Sequence, residues 1–152
     1  MALLGLLALA GCGFAPVYQD STGLREQISF RTDDSVAGYR IQEALERRLG
    51  LAGAPAYLLT VSQSQSRDPA AINSDGDTVR YNIIGQADWV LRAIDSSATV
   101  AKGQETSFAA YAATGSTVAT QAAEADAVAR LATALADQIV GRLLVLTPEL
   151  AQ

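Results

Sequence analysis

The stretch from Val79 to Arg92, VRYNIIGQADWVLR, carries the clearest structural pattern in the chain. Every second position is apolar or small: Val79, Tyr81, Ile83, Gly85, Ala87, Trp89 and Leu91. The positions between them include Arg80, Asn82, Gln86, Asp88 and Arg92. A period of two places alternate side chains on opposite faces of a strand, so this stretch predicts a half-buried strand with Trp89 in the core.

The segments around this strand predict the rest of the domain. Asp95 to Ser97 read as a turn, after which Thr99–Tyr111 returns as a partner strand. Upstream, strands are expected over about 25–32 and over Ala56–Ser64, with a polar loop over Gln65–Thr78 that contains Asp68-Pro69 and Asp75-Gly76.

Two helices complete the pattern. Val36–Leu49 has an apolar residue at every fourth position, follows the N-cap candidates Asp33, Asp34 and Ser35, and ends at Gly50. A longer apolar stripe predicts a helix over Val118–Val145, which Pro148 is expected to stop. We therefore expect an α+β fold, with about four antiparallel or mixed strands and two helices packed on one face of the sheet.

The N-terminus is of a different kind. Residues 1–11, MALLGLLALAG, are uncharged and too short to span a bilayer, which needs about 20 apolar residues. They match the apolar region of a secretory signal, and Leu9-Ala10-Gly11-Cys12 resembles a bacterial lipobox. The basic residues that usually begin such a signal are missing, since the first one is Arg25. We expect a signal peptide over 1–11, lipidation of Cys12, a tether over 12–24, a single domain over 25–147 and a C-terminal tail over 148–152.

Composition argues against several classes of protein. The chain has no histidine, a single cysteine and a formal net charge of −5, and its 11 Lys and Arg residues are scattered. Nucleic-acid binding calls for a basic patch or stripe, so no nucleic-acid partner is expected. Without histidine or a free thiol the usual bases and nucleophiles are missing, and no serine lies in a nucleophile-elbow setting. We expect neither an enzyme nor a cofactor.

Two groups of polar residues remain as candidate sites. Asn73, Ser74, Asp75 and Asp77 have the oxygen density of a calcium loop but not the spacing of an EF-hand, so we expect a polar loop and no metal. Four cations could meet anionic groups, because guanidinium and ammonium bind phosphate. Geometry pairs them as Arg92 with Lys102 across the Asp95–Ser97 turn, or as Arg67 with Arg80 across the polar loop. The alternative is that all four are ordinary surface charges.

The segment Gly11-Cys12-Gly13-Phe14-Ala15-Pro16-Val17-Tyr18 resembles the mature start of the lipopolysaccharide-assembly lipoproteins of the LptE family, which reads C-G-F-x-P-L/V-Y. The order of the later elements is similar along the whole mature chain. The resemblance implies two helices on a four-stranded sheet and a lipid anchor in the outer membrane, on its periplasmic side.

The resemblance also implies a function and partners. The protein would plug the LptD β-barrel translocon, assist its assembly and help deliver lipopolysaccharide to the outer leaflet. Because a barrel lumen is polar, we expect Asn73, Ser74, Asp75 and Asp77 to contact the barrel. The candidate residues for binding lipopolysaccharide are Arg92, Lys102, Arg67 and Arg80. They are chosen from the chemistry of their side chains and not from the resemblance. The alternative is an auxiliary lipoprotein of an ABC-type envelope lipid transporter.

Overall fold

The computed structural model describes residues 24–113 and 115–150, without the side chains of residues 147–150. The expected signal peptide, Cys12 and nearly all of the tether therefore lie outside the described residues. The elements follow the order β1 (Ile28–Arg31), α1 (Val36–Leu49), β2 (Tyr57–Ile72), β3 (Thr78–Ala93), β4 (Thr99–Ala112) and α2 (Thr117–Leu150). The α+β class is confirmed.

The four strands form one mixed sheet in the order β1-β2-β3-β4. The short β1 pairs in parallel with the start of β2, whereas β2–β3 and β3–β4 are antiparallel hairpins. The connection from β1 to β2 runs through α1, as a parallel pair requires a crossover. Both helices pack on the same face of this sheet, and we call the other side, which neither helix covers, the open face.

The alternation expected for β3 is confirmed. Ile83, Ala87, Trp89 and Leu91 are buried on the helix face, and Gly85 lies there close under two leucines of α2. The core continues into α1 through Leu45 and into α2 through a buried stripe, which comprises Ala127, Leu131, Ala132, Leu135, Ala136, Ile139, Val140 and Leu143.

Local capping sets the bounds of α1, which are those expected from the sequence. The hydroxyl of Ser35 accepts a hydrogen bond from the backbone N–H of Gly38 at 2.9 Å, so Ser35 is the N-cap. Gly50 ends the helix with φ +78, and its N–H donates to the carbonyl of Glu46 at 2.9 Å. Such a left-handed conformation favours glycine because it has no Cβ.

The polar loop expected over Gln65–Thr78 is wrong in most of its length. β2 continues to Ile72 and pairs with β3 along the whole hairpin, so that only residues 73–77 form the turn. Beyond Thr60, no strand among the described residues pairs with the other side of β2. Its polar side chains are exposed, while its backbone is paired with β3. Pro69 is tolerated because it lies on this edge strand, beside a register irregularity between Pro69 and Ala71.

The second helix also differs from expectation at its C-terminal end. It continues to Leu150, so Pro148 does not end it. A proline removes one backbone donor and disfavours a helix interior, but of the described residues only two follow Pro148 in the helix, so few of their hydrogen bonds depend on that position.

Candidate functional site

Charge is distributed unequally between the two sides of the sheet. On the helix side, each of six arginines forms an ion pair: Arg40 and Arg47 with Glu43, Arg48 with Asp137, Arg67 with Glu124, Arg130 with Asp126 and Arg142 with Glu105. Most of these pairs are exposed and contribute little to stability, but they neutralise that side of the domain.

The open face has the opposite character. It carries Arg31, Arg80, Arg92 and Lys102, and no carboxylate oxygen within the described ranges lies within 4.0 Å of any of their charged groups. The remaining cation, Arg25, lies in the turn before β1. The same face also carries the carboxylates of Asp68 and Asp88, so four cations face two anions there, on a chain with a net charge of −5.

The structure brings Arg92 and Lys102 together, as the sequence predicted. Lys102 lies directly opposite Val90, and Arg92 is the next β3 residue on the same face. The two are therefore diagonal neighbours on adjacent strands, which corresponds to about 7–8 Å between Cα atoms. Arg80 shares this face but lies at the other end of β3, about 40 Å away.

Arg67 and Arg80 are not brought together, which corrects the other expected pair. Because β2 is a strand at this point, Arg67 lies opposite Ile83 and projects from the helix face, whereas Arg80 projects from the open face. Because the sequence predicts a loop between these two residues, it assigns no face of a strand to Arg67.

Arg67 instead belongs to a cluster that fixes α2 to the long hairpin. Its guanidinium lies 5.1 Å from the ring centroid of Tyr81, which stacks on Tyr111 at 5.5 Å. It donates to the hydroxyl of Tyr111 at 3.5 Å and pairs with Glu124 of α2 at 3.3 Å. The hydrogen bond to Tyr111, with the charges of Tyr111 and Glu124, raises the pKa of Arg67.

The expected barrel-contact residues form the tip of the β2–β3 hairpin. The side-chain oxygen of Asn73 accepts from the backbone N–H groups of Asp75 at 3.0 Å and Asp77 at 2.8 Å. Gly76 has φ +89 and closes the turn. Asn73, Ser74, Asp75 and Asp77 are all exposed. Across residues 24–113 and 115–150, no group of three or more acidic, histidine or cysteine side chains is arranged to hold a metal.

No local sequence pattern indicates a shallow concavity of about 520 Å³ on the open face. Ser62, Asp88 and Gln104 lie side by side across three strands, next to Thr60, Val90 and Lys102 in the adjacent row. Asp88 accepts hydrogen bonds from the amide of Gln104 at 2.7 Å and from that of Gln86 at 3.1 Å. These two hydrogen bonds lower the pKa of Asp88, and the bond from Gln104 has the larger effect, so the carboxylate is ionised.

Comparison with solved structures defines the class of protein. The domain is similar to a Caulobacter crescentus protein described as a lipoprotein, with 27% identity, a TM-score of 0.70, and coverage of 86% of this chain and 94% of that one. It shares its fold with the rare lipoprotein B of Shewanella oneidensis, at 14% identity and a TM-score of 0.64 over 83% of this chain and 99% of that one. These similarities show the fold, a small α+β domain that this chain shares with two proteins described as lipoproteins.

The family follows from the sequence itself. Residues 26–143 match the LptE family, described as lipopolysaccharide-assembly, and the chain belongs to that family. A search of curated proteins finds no match. In the part of the chain that the structure describes, neither helix has the length and apolar character to cross a membrane.

Proposed function

We propose that this protein is an outer-membrane lipoprotein, anchored through Cys12, that plugs an LptD-like β-barrel and assists its assembly. It also helps deliver lipopolysaccharide to the outer leaflet. Membership of the lipopolysaccharide-assembly family supports the process. The proposed contact with the lipid is supported by the separation of charge between the two sides of the sheet. Clustered phosphates need a local cationic surface if they are to bind an acidic protein.

The shape of the domain supports insertion into a lumen. Leu24, the first described residue, lies at the end of the sheet where β1 and β2 begin, and the hairpin tip lies at the opposite end. The 16 residues of β2 span about 50 Å. A chain tethered before Leu24 would therefore carry the polar tip away from the anchored end. A barrel lumen is itself polar and would accept this exposed turn.

The pair Arg92 and Lys102 is the proposed phosphate contact. Both side chains are exposed on the open face, and neither forms an ion pair with a described carboxylate. Arg80 is a separate cation at the far end of the same face. Arg67 is already held by Tyr111 and Glu124, so its proposed contact with lipopolysaccharide would require these interactions to break.

Site-specific photo-crosslinking in cells tests the plug. Ser74 is the position of choice, because the side chain of Asn73 holds the turn. A crosslinker at Ser74 should capture a large outer-membrane barrel protein. The matched surface control is Ser96, an exposed residue in the β3–β4 turn at the other end of the sheet. Capture of an inner-membrane transporter subunit from Ser74, or equal yields from both positions, would contradict insertion by the tip.

A further inference from the structure

The two free edges of the sheet differ in how they are protected. An edge strand presents unpaired backbone N–H and C=O groups, which proteins usually block with a neighbouring element, a charge, a proline or a bulge. On β2, the strand β1 covers the first four residues, and the carboxylate of Asp33 accepts from the backbone N–H of Gln63 at 3.2 Å. Pro69 then removes a donor beside a register irregularity. Between Gln63 and Pro69, outward donors remain only at Gln65 and Arg67.

The outer edge of β4 has a regular and continuous backbone. The N–H of Ala113 donates to the carbonyl of Val79 at 2.9 Å, so in this antiparallel register the odd-numbered residues of β4 bond to β3 and the even-numbered residues turn their backbone groups outward. The register is unbroken from Ala101 to Ala112, a segment without proline. No described strand pairs with its outer side. Residues 102–112 therefore present an open edge about 33 Å long.

Charged side chains leave most of this edge accessible. Glu105 is buried on the helix face and pairs with Arg142 at 3.3 Å, and Lys102 lies at one end of the open segment. One hydrogen bond from the described residues reaches the edge: the guanidinium of Arg130 donates to the carbonyl of Ala110 at 3.0 Å. The outward backbone groups between these two ends belong to Gln104, Thr106 and Phe108.

The occupant of this edge must be a strand with an unpaired edge of its own, because an extended backbone matches alternating donors and acceptors. A second copy of this chain fits poorly. Antiparallel pairing of two β4 edges would turn the two Leu24 ends in opposite directions, which does not suit two chains tethered to one membrane. A barrel strand that crosses a bilayer has about 9–11 residues, which is the length of the open segment.

We propose that the outer edge of β4 pairs with the unpaired end strand of a β-barrel that has not yet closed. The pairing shields that strand from aggregation while the barrel assembles. A closed barrel has no free edge, so the contact ends when the first and last strands of the barrel meet. The inference rests on the proposed function for the identity of the partner, and it assigns the contacting strand and the stage of assembly.

A proline at an outward position tests the pairing. Thr106→Pro removes one outward N–H and no backbone hydrogen bond to β3, and the sheet already accepts Pro69 at such a position. Gln65→Pro is the matched control, because it makes the same change at an exposed outward position on β2. Both variants are first checked for an unchanged thermal midpoint.

Pulse–chase labelling in cells then measures how fast the newly made barrel protein reaches its folded form. Thr106→Pro should slow this conversion several-fold, whereas Gln65→Pro should leave it unchanged. A folded Thr106→Pro protein that supports the wild-type rate would overturn the proposal, and so would equal slowing by both variants.

Photo-crosslinking tests the same edge without altering the backbone, even if Thr106→Pro fails to fold. Thr106, Gln86 and Ser64 form one row across the open face, with Thr106 at the β4 edge and Ser64 on β2. Both end residues are exposed. A crosslinker at Thr106 should capture the barrel protein early in the chase and lose that yield later. Ser64 should give no early crosslink.

Equal early yields from Thr106 and Ser64, or capture of a second copy of this chain from Thr106, would overturn the proposal. The Ser74 crosslink separates this proposal from the proposed function. Capture of a barrel by Ser74 without early capture by Thr106 would contradict the β4 pairing alone. Early capture by Thr106 without capture by Ser74 would support the pairing and contradict insertion of the tip.

Discussion

The indole of Trp89 lies directly over Gly103 on the neighbouring strand. A Cβ atom built on Gly103 would come within 2.6 Å of Cζ2 and 3.0 Å of Nε1 of Trp89, so only a residue without a side chain allows the ring to lie there. Trp89 is 2% exposed, and its Nε1 has no hydrogen-bond partner in the described part of the chain. The burial of this large ring on the α2 side of the sheet stabilises the fold by more than the unpaired Nε1 donor costs.

Gly103→Ala should therefore destabilise the fold by about 1–3 kcal/mol, because the added methyl group overpacks the core and displaces the indole. Urea unfolding measures the change. Gly141→Ala is the control, since a Cβ at Gly141 meets nothing within 4 Å and alanine favours a helix. A Gly103→Ala protein as stable as wild type would mean that the ring does not lie over this glycine.

Trp89→Ala should cost about 3–5 kcal/mol, because it removes a buried indole and leaves a cavity between β3 and α2. The thermal midpoint reports the loss. Phe108→Ala is the matched control on the opposite face, since that aromatic ring is 68% exposed and its loss should change stability by less than about 0.5 kcal/mol. Equal thermal midpoints for both variants would contradict the assignment of Trp89 to the buried face and of Phe108 to the exposed face.

Asp33 should make part of the stability depend on pH. Burial raises the pKa of Asp33, but hydrogen bonds from Ser35 and from the backbone N–H of Gln63 outweigh it, and the folded pKa lies below the ordinary value. A depressed pKa stabilises the fold above the unfolded pKa of about 3.9, and this contribution is lost as the pH falls through the folded value.

Asp33→Asn should accordingly be less stable than wild type at pH 7, and the two should converge as the pH falls below about 4. Urea unfolding at several pH values measures the difference. Asp34→Asn, an exposed neighbour, provides the control. A difference between wild type and Asp33→Asn that stays constant down to pH 2 would show that the carboxylate charge contributes nothing.

Cys12→Ala should abolish lipidation, because the chain contains no other thiol to accept a diacylglycerol. Metabolic labelling with a fatty-acid analogue should lose its signal completely. Cys12→Ser provides a second variant with a similar volume and the same expected loss. Labelling that persists in either variant would contradict the anchor.

Removing both charges of Arg92 and Lys102 should weaken lipopolysaccharide binding more than removing those of Arg67 and Arg80. The first pair lies together on the open face, and the second is split between the two faces. The Arg67/Arg80 variant should instead lose stability, because Arg67 links Tyr111 to Glu124. Binding assays on folded protein check this. Wild-type affinity in both double variants would exclude these basic residues as contacts.

Some of this architecture was determined by the sequence alone. The alternation in Val79–Arg92 assigns each side chain to a face, because the period of a strand is a property of the backbone. The bounds of α1 follow from Ser35 and Gly50, whose capping interactions span only a few residues. Such local features are readable without a partner strand. The family motif around Cys12 is likewise a property of consecutive residues.

Only the tertiary structure decided the length of β2 and the arrangement of the cations. Residues 65–72, QSRDPAAI, show no alternation of apolar and polar side chains, so no hydrophobic pattern distinguishes them from a loop. Their strand forms through backbone pairing with β3. Arg31 lies on the same face as Lys102 because β1 pairs in parallel with β2, to which α1 connects it. These positions depend on registers between distant segments, and composition and spacing along the chain do not encode them.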